Sequence, residues 1–188
     1  VKCKNIPVAM WKKEYIIEPS KDCTVNSKLT FNLDFDPIYF GRYQESEYFS
    51  LMYFDLSSIP LDAKIVEAIL ELFIIRNDNG EEKEIVVRPL AAGWEEKSVN
   101  SQAMPQISNV LCARGHCSDV ISWASVDITD IVNKWVNNEL KNNGLVISAS
   151  KDAKVFAAYN RHFYLKSLTP RLRILATSKV RGIKWSEK

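Results

Sequence analysis

The sequence predicts an all-β protein, a two-sheet antiparallel β-sandwich with one short helix. Three observations support this fold class. Apolar and polar residues alternate one by one in several segments, which is typical of half-buried strands. Clusters of Asn, Asp, Gly and Pro separate these segments and predict turns. Only one segment has the spacing of an amphipathic helix, and 188 residues is within the usual range for one domain.

The first half of the chain contains four predicted strands. Residues 14–18 and 24–35 alternate apolar with polar side chains, so each should bury one face. Residues 49–54 are apolar enough to be covered on both faces, and the following DLSSIP predicts a turn that ends in proline. Residues 64–73, KIVEAILELF, form the next strand, with one apolar face and one mixed face.

The second half begins with a turn in NDNGEE, after which residues 83–90 return as the second strand of a hairpin. Residues 91–120 form a long connection, which should be functional or held in place by a covalent link. A short helix is predicted near residues 130–138. Its apolar residues recur at helical spacing: Ile128, Ile131, Val132, Trp135 and Val136. Three closing strands are predicted at 144–150, 153–159 and 170–177.

The predicted domain spans residues 14–178. Residues 1–13 show no clean period and contain a proline, so they are interpreted as an N-terminal arm. Residues 179–188 form a basic C-terminal tail.

Composition argues against two classes of partner. The formal net charge is +2, which leaves no broad basic surface for a nucleic acid. No stretch approaches the roughly 18 apolar residues that a membrane-spanning helix needs. We therefore expect neither nucleic-acid binding nor a membrane span.

A search for catalytic motifs gives no candidate. The six glycines are never two residues apart, so the glycine-rich phosphate-binding patterns are missing. The nucleophile motif GxSxG is also missing, and the chain has two histidines with which a triad could be built. Adjacent acidic pairs such as EE at 81–82 usually face solvent. We expect no catalytic residues and no enzymatic activity.

Six ordered segments resemble a known family. They are YFDLSSIP, KIVEAILELFI, GWEEKSVNSQAMP, VDITDIVNKWVNN, NNGLVISAS and TPRLRILAT. Their order is similar to that of the DNRLRE domain family, which is related to carbohydrate-binding modules, and the resemblance covers roughly residues 15–177. It implies a jelly-roll-like sandwich that serves as a non-catalytic module in secreted or cell-surface proteins, some of which bind polysaccharides. The six-letter string that names the family is absent here, and CARGHC is an addition to its pattern.

The segment CARGHC places two thiols and an imidazole close together in the predicted long connection. A zinc ion prefers four N or S ligands, so Cys3, Cys23 or His162 would have to complete the set from distant segments. We predict instead a disulfide between Cys112 and Cys117, which would hold the long connection in place. Unbonded thiols and a metal site are the alternatives, and Cys3 and Cys23 are further disulfide candidates.

Two aspartates are candidates for calcium. Asp34 and Asp36 lie on the same side of a predicted strand before a proline turn, and carboxylate oxygens suit Ca²⁺. Calcium takes six or more oxygen ligands, so a polar strand face is the alternative interpretation. No other cofactor is expected.

Candidates for ligand binding come from aromatic and basic residues. Trp135 is expected in the core because it lies on the apolar side of the helix, and Trp94 because it lies in the segment GWEEKSV, which resembles the family. Trp123 alternates with polar neighbours, a pattern that does not decide which face of the sheet carries its side chain. Four further residues, basic ones, are candidates for binding a polysaccharide or a local anion: Arg161, His162, Arg171 and Arg173.

The terminal arms carry apolar residues that should not remain in water. Trp11 and Trp185 each lie in an arm outside the predicted sandwich. The N-terminal arm also carries a run of apolar side chains suited to an extended segment: Ile6, Val8 and Met10. These arms either pack on their own domain or dock on a neighbouring copy, which would build a filament.

Two functions follow from these observations. The favoured prediction is a non-catalytic structural subunit that self-associates in an extracellular or cell-surface assembly, because the unusual residues lie in the arms and cysteines. The alternative is a carbohydrate-binding module that recognises a polysaccharide.

Overall fold

The computed structural model describes residues 10–34 and 37–179, apart from the side chains of Met10 and Lys179. The elements in chain order are β1 (Met10–Ile17), β2 (Lys21–Asn26), β3 (Asn32–Leu33), β4 (Ile38–Tyr43), β5 (Ser46–Tyr53), β6 (Lys64–Asn77), β7 (Lys83–Pro89), β8 (Ala113–Cys117), β9 (Ser122–Asp127), α1 (Thr129–Val136), β10 (Leu145–Ala149), β11 (Phe156–Ala158) and β12 (Arg171–Lys179). A short 3-10 helix, Lys166–Leu168, precedes β12. The mostly-β composition with one short α-helix among the described residues confirms the sequence prediction.

The strands form a continuous antiparallel sheet. Strand β6 pairs with β9 along one edge, and with β12 and then β11 along the other. From β6 the hydrogen-bonded order runs β11, β4, β5, β10, β7, β8 and β9, and β9 returns to β6. Eight strands therefore form a closed, barrel-like path. Strand β12 pairs with β6 outside this path, and β1 pairs with β12. Strand β2 pairs with β5, and β3 pairs with β2.

The prediction of two separate sheets needs correction. Residue alternation reports which side chains are buried, but it carries no information on which strand pairs with which. Strand β6 is 14 residues long, and this length lets it pair with strands from both halves of the molecule. The resulting architecture is a closed sheet and not clearly a two-sheet sandwich.

The interior of the closed sheet is the main hydrophobic core. Its largest fully buried side chains include Phe40, Phe54 and Phe156, and the rings of Phe40 and Phe156 stack at 5.2 Å. Helix α1 closes one side with its apolar face, on which Ile131, Val132 and Trp135 are buried. Among the described residues, no helix is long and apolar enough to cross a membrane.

A second, smaller core lies on the outer side of β5 and β10. It contains Cys23, Val25, Leu51, Leu90, Trp94, Val99 and Val146. The first part of the long connection after β7 therefore stays ordered because Trp94 and Val99 bury apolar area against the sheet, and no covalent link is needed. The expected burial of Trp94 and Trp135 is confirmed, at 7% and 5% exposure.

The predicted disulfide between Cys112 and Cys117 is not formed. All three described cysteines, Cys23, Cys112 and Cys117, carry free thiols. The segment predicted to be a loop is strand β8, so five residues at roughly 3.3 Å each separate the pair by about 16 Å. A disulfide requires α-carbons within about 7 Å. Cys3 lies outside the described residues.

The last residues of the predicted N-terminal arm lie in a strand. Residues 10–13 belong to β1, which pairs with the chain's own β12, so that Trp11 lies opposite Ser178. The other apolar residues of the proposed assembly arms, Ile6, Val8 and Trp185, lie outside the described residues, as do residues 180–188 of the C-terminal tail.

Candidate functional site

Aromatic side chains cover the outer surface of one part of the sheet, where β9, β6, β11, β4 and β5 lie side by side. The alternation of β4 explains part of this surface. Ile38 and Phe40 point into the core, so the intervening Tyr39 points outward. On β6 the inward pair Leu72 and Ile74 likewise leaves Phe73 outside.

Three tyrosines on this surface form a concavity that we call the tyrosine cleft. It has a volume of about 370 Å³. The residues that line it are Leu33, Tyr39, Tyr43, Tyr48, Arg76 and Val155. The rings of Tyr39 and Tyr48 lie 6.0 Å apart at 55° to each other, and Tyr43 is 49% exposed. The cleft thus combines aromatic ring surfaces with hydroxyl groups.

A guanidinium lies at one side of the tyrosine cleft. Arg76 donates two hydrogen bonds to the carboxylate of Asp78, at 2.7 and 2.6 Å, and this pairing raises the pKa of Arg76 above its usual value. In the sheet Arg76 lies opposite Ala157, and Ala157 lies opposite Tyr39. Ala157 thus lies between Arg76 and Tyr39 in the sheet and is itself buried.

The floor of the tyrosine cleft depends on a close backbone contact. Gly41 has φ +100°, and a Cβ at this position would lie 2.4 Å from the carbonyl oxygen of Lys154. The Lys154 segment is fixed from its other side by Asn79, whose side-chain oxygen accepts a hydrogen bond from the Lys154 amide at 2.6 Å. These contacts place Val155 at the base of the cleft.

Further aromatic rings on the same surface form what we call the aromatic ridge, defined as Phe73, Trp123, Tyr159, Phe163 and Tyr164. Trp123 contacts Phe73 edge to face at 5.3 Å, and Phe73 stacks with Tyr159 at 5.9 Å. Tyr159 in turn stacks on Phe163, which contacts Tyr164. The ridge ends in an open ring, because Tyr164 is 79% exposed.

The structure places Trp123, one of the predicted ligand-binding candidates, on this ridge. The guanidinium of Arg171 covers its ring at 4.4 Å from the centroid. Arg171 is also paired with Glu71, and Arg173 with Glu71 and Glu67. These two candidate arginines therefore belong to a ladder of ion pairs between β6 and β12.

Arg161 is engaged in the interior of the protein. Its guanidinium donates two hydrogen bonds to Glu96, at 2.6 and 2.8 Å, and its backbone amide donates to Asp22 at 2.7 Å. Burial raises the pKa of Asp22 to about 6, although Arg161 acts in the opposite direction. Arg161 thus anchors the segment that carries the end of the ridge, and His162 beside it lines a concavity with Phe163 and Tyr164.

Two larger cavities lie outside this aromatic surface. In the cavity of about 510 Å³ near Trp94, the ammonium of Lys21 lies 5.9 Å from the Tyr53 ring and 5.7 Å from the Trp94 ring. Lys21 also donates to the Trp94 carbonyl and to Glu95, so two of its three N–H donors are used within the protein. The cavity of about 540 Å³ beside Trp135 is mainly apolar.

No metal site is found in the part of the chain that the structure describes, where no group of three or more His, Cys, Asp or Glu side chains could hold an ion. Of the predicted calcium ligands, Asp34 is half-buried next to Leu33 of the tyrosine cleft, and Asp36 lies outside the described residues. Calcium binding at this pair stays a prediction.

The buried thiols have no chemical role in the site. Burial raises the pKa of Cys117 to about 12 and raises the pKa of Cys23 even further. Both thiols stay protonated at neutral pH, and a thiol without its thiolate form is a poor nucleophile and metal ligand.

Sequence reasoning missed most of this site. It considered tryptophans, whereas the cleft is built from tyrosines that are scattered over two strands. One signal was available: in IYFGRY, Tyr39 and Tyr43 are four residues apart and Ile38 and Phe40 flank Tyr39, which places both tyrosines on the face of a strand opposite the apolar one.

The comparisons with known proteins give one family. No curated protein matches the chain. The family described as Carbohydrate-binding module family 96 matches residues 17–167, which is most of the chain and includes the tyrosine cleft and the aromatic ridge. The resemblance noted in the sequence is thereby shown at the level of a carbohydrate-binding module, and the chain belongs to carbohydrate-binding module family 96.

Proposed function

We propose that this protein is a non-catalytic module that binds a polysaccharide in the tyrosine cleft. The observation that carries the proposal is the grouping of Tyr39, Tyr43 and Tyr48 around an open cleft of about 370 Å³, within a chain of a carbohydrate-binding family. An extracellular or cell-surface location is part of the proposal, because polysaccharides are met there.

The chemistry of the cleft suits a sugar ring. One face of a pyranose presents C–H groups, which pack on an aromatic ring, while its rim presents hydroxyl groups. The tyrosine rings supply the apolar surface, and Arg76 supplies N–H donors in a fixed position because Asp78 holds its guanidinium. A few placed polar groups in an aromatic setting fix the orientation of such a ligand.

The favoured prediction from the sequence, a self-associating structural subunit, is not supported by the described residues. Trp11 was one of its motivating residues, and it lies in a strand that pairs within the same chain. Ile6, Val8 and Trp185 lie outside the described residues. The findings favour the carbohydrate-binding alternative.

Affinity electrophoresis would test the proposal. The protein is run in native gels that contain xylan, glucomannan, mixed-linkage β-glucan, pectin or alginate. We expect at least one polysaccharide to retard it. In that gel Tyr43→Ala should weaken binding by about tenfold, since loss of a ring at a contact commonly costs more than about 1 kcal/mol.

Two variants serve as controls for this experiment. Leu61→Ala removes a side chain that is 93% exposed and lies outside the cleft, so its migration should match that of the parent protein. Tyr53→Ala tests the cavity near Trp94. If the gel still retards Tyr43→Ala but no longer retards Tyr53→Ala, the binding site is the cavity near Trp94. If no polysaccharide retards the parent protein, the proposed function is rejected.

A further inference from the structure

We infer that the tyrosine cleft and the aromatic ridge act as consecutive subsites for one extended glycan chain. The module then recognises an internal stretch of polysaccharide and not a single sugar or a chain end. This inference rests on the proposed function and deepens it by naming the form of the ligand.

The two surfaces are continuous along two adjacent strands. On β4, Tyr39 of the cleft lies two residues from Pro37, which lines the concavity beside the ridge. On the neighbouring strand, Ala157 lies opposite Tyr39, and Tyr159 of the ridge follows two residues later. Two residues of strand span about 7 Å, which is comparable with one sugar unit of an extended chain.

The length of the surface sets the size of the ligand. Tyr43 and Pro37 lie at the two ends of this path and are six residues apart, or roughly 20 Å along the strand. Tyr164 adds ring surface at the Pro37 end of the path, since both residues line the same concavity. A path of this length is longer than a disaccharide, so a short ligand would leave part of the aromatic surface uncovered.

The second concavity offers a sugar mainly aromatic ring surface. Its volume is about 340 Å³, and it opens to solvent beside the exposed ring of Tyr164. It combines rings with polar groups, being lined by Pro37, Tyr159, Asn160, His162, Phe163 and Tyr164. Ring surface with adjacent hydrogen-bonding groups is also the composition of the tyrosine cleft.

The ridge is held in position before a ligand arrives. Arg161 joins the segment between Tyr159 and Phe163 to two other parts of the chain, through Asp22 on β2 and through Glu96. Tyr159 is further fixed by its backbone amide, which donates to the carbonyl of Phe73 at 3.3 Å. Rings that are already ordered lose little conformational entropy on binding, which favours an extended ligand.

Titration calorimetry with oligosaccharides tests the inference. The probes are the disaccharide and the hexasaccharide released from whichever polysaccharide of the electrophoresis series retards the protein. We expect the hexasaccharide to bind at least about tenfold more tightly than the disaccharide, because it alone reaches both subsites. Tyr164→Ala should weaken hexasaccharide binding about fivefold to tenfold and leave disaccharide binding unchanged, whereas Tyr43→Ala should weaken both.

The possible outcomes separate the inference from the proposed function. Equal affinities for the two oligosaccharides, or hexasaccharide binding that is unaffected by Tyr164→Ala, would overturn the inference and leave the tyrosine cleft as the site. Loss of disaccharide binding in Tyr164→Ala would also overturn it, because the ridge would then be the primary site. Lack of retardation by every polysaccharide would reject the proposed function and the inference together. Because Tyr164 is 79% exposed, its replacement should leave thermal unfolding unchanged.

Discussion

At the scale of single residues, Asp22 is the most unusual ionisable group among those described. It is fully buried, it accepts a hydrogen bond from the Arg161 amide, and its second oxygen lies 3.4 Å from the Arg161 guanidinium without a hydrogen bond. Burial disfavours its charged form, so the pKa of Asp22 rises from 3.8 to about 6. The proximity of Glu96 acts in the same direction.

The raised pKa of Asp22 predicts a specific dependence of stability on pH. The folded protein binds the proton more tightly than the unfolded chain between about pH 4 and pH 6, so protonation of Asp22 favours folding there. Between pH 7 and pH 5 the parent protein should gain about 1 kcal/mol in free energy of unfolding relative to Asp22→Asn, which cannot titrate. Urea unfolding of both proteins at the two pH values measures this difference.

The comparison with Asp22→Asn removes the contribution of other acids. Asp152, for example, has a pKa lowered to about 2 by its hydrogen bond with Lys83, and it contributes equally to both proteins. A difference between parent and variant that stays constant from pH 7 to pH 5 would show that Asp22 has an ordinary pKa.

At the scale of elements, the position of β8 depends on a glycine. A Cβ on Gly115 would lie 2.7 Å from both the carbonyl oxygen of Ser125 and a methyl group of Val126. These two residues belong to β9, so the missing side chain allows β8 and β9 to approach closely where the sheet closes.

Replacement of Gly115 should therefore destabilise the closed sheet. We expect Gly115→Ala to lower the free energy of unfolding by about 1 to 3 kcal/mol, because neither the backbone nor the buried valine can move freely. Gly93→Ala is a matched control, since its Cβ would meet one side-chain oxygen at 3.9 Å, an ordinary contact. Thermal unfolding of the two variants gives the comparison, and equal effects would contradict the close approach of β8 and β9.

The sequence predicted most elements because their patterns are local. A continuous apolar run located β5, alternation located β6, the turn in NDNGEE located β7, and helical spacing located α1 within one or two residues at each end. Strand β8 was missed, because its cysteines, arginine and histidine suggested a loop with chemistry, whereas pairing with β7 makes it extended. Pairing depends on residues distant in sequence, so the closed sheet had no local signal either.

The candidate site was less predictable than the fold. Trp123 was recognised as a candidate, but its partner Phe73 comes from another strand and meets it only through strand register, and Tyr159 joins them by stacking on Phe73. The role of Arg161 was also hidden, because its partners Asp22 and Glu96 are distant in sequence. A binding surface assembled across strands leaves no compact motif in the sequence.

At the scale of the whole molecule, the two hydrophobic cores share the same strands. On β5, Leu51 belongs to the smaller core and Met52 to the main core. On β10, Val146 belongs to the smaller core and Leu145 to the main core. Neither core can lose β5 or β10 without exposing apolar surface of the other, so both should unfold together.

The buried cysteines report directly on this coupling. Cys23 lies in the smaller core and Cys117 in the main core, and both are at most 1% exposed, whereas Cys112 is exposed. In native protein we expect an alkylating reagent to label Cys112 and to leave Cys23 and Cys117 unlabelled. Both buried thiols should become reactive at the same urea concentration, as measured by pulsed alkylation and peptide mass spectrometry. Labelling of Cys23 at a clearly lower concentration would show instead that the smaller core opens while the closed sheet remains folded.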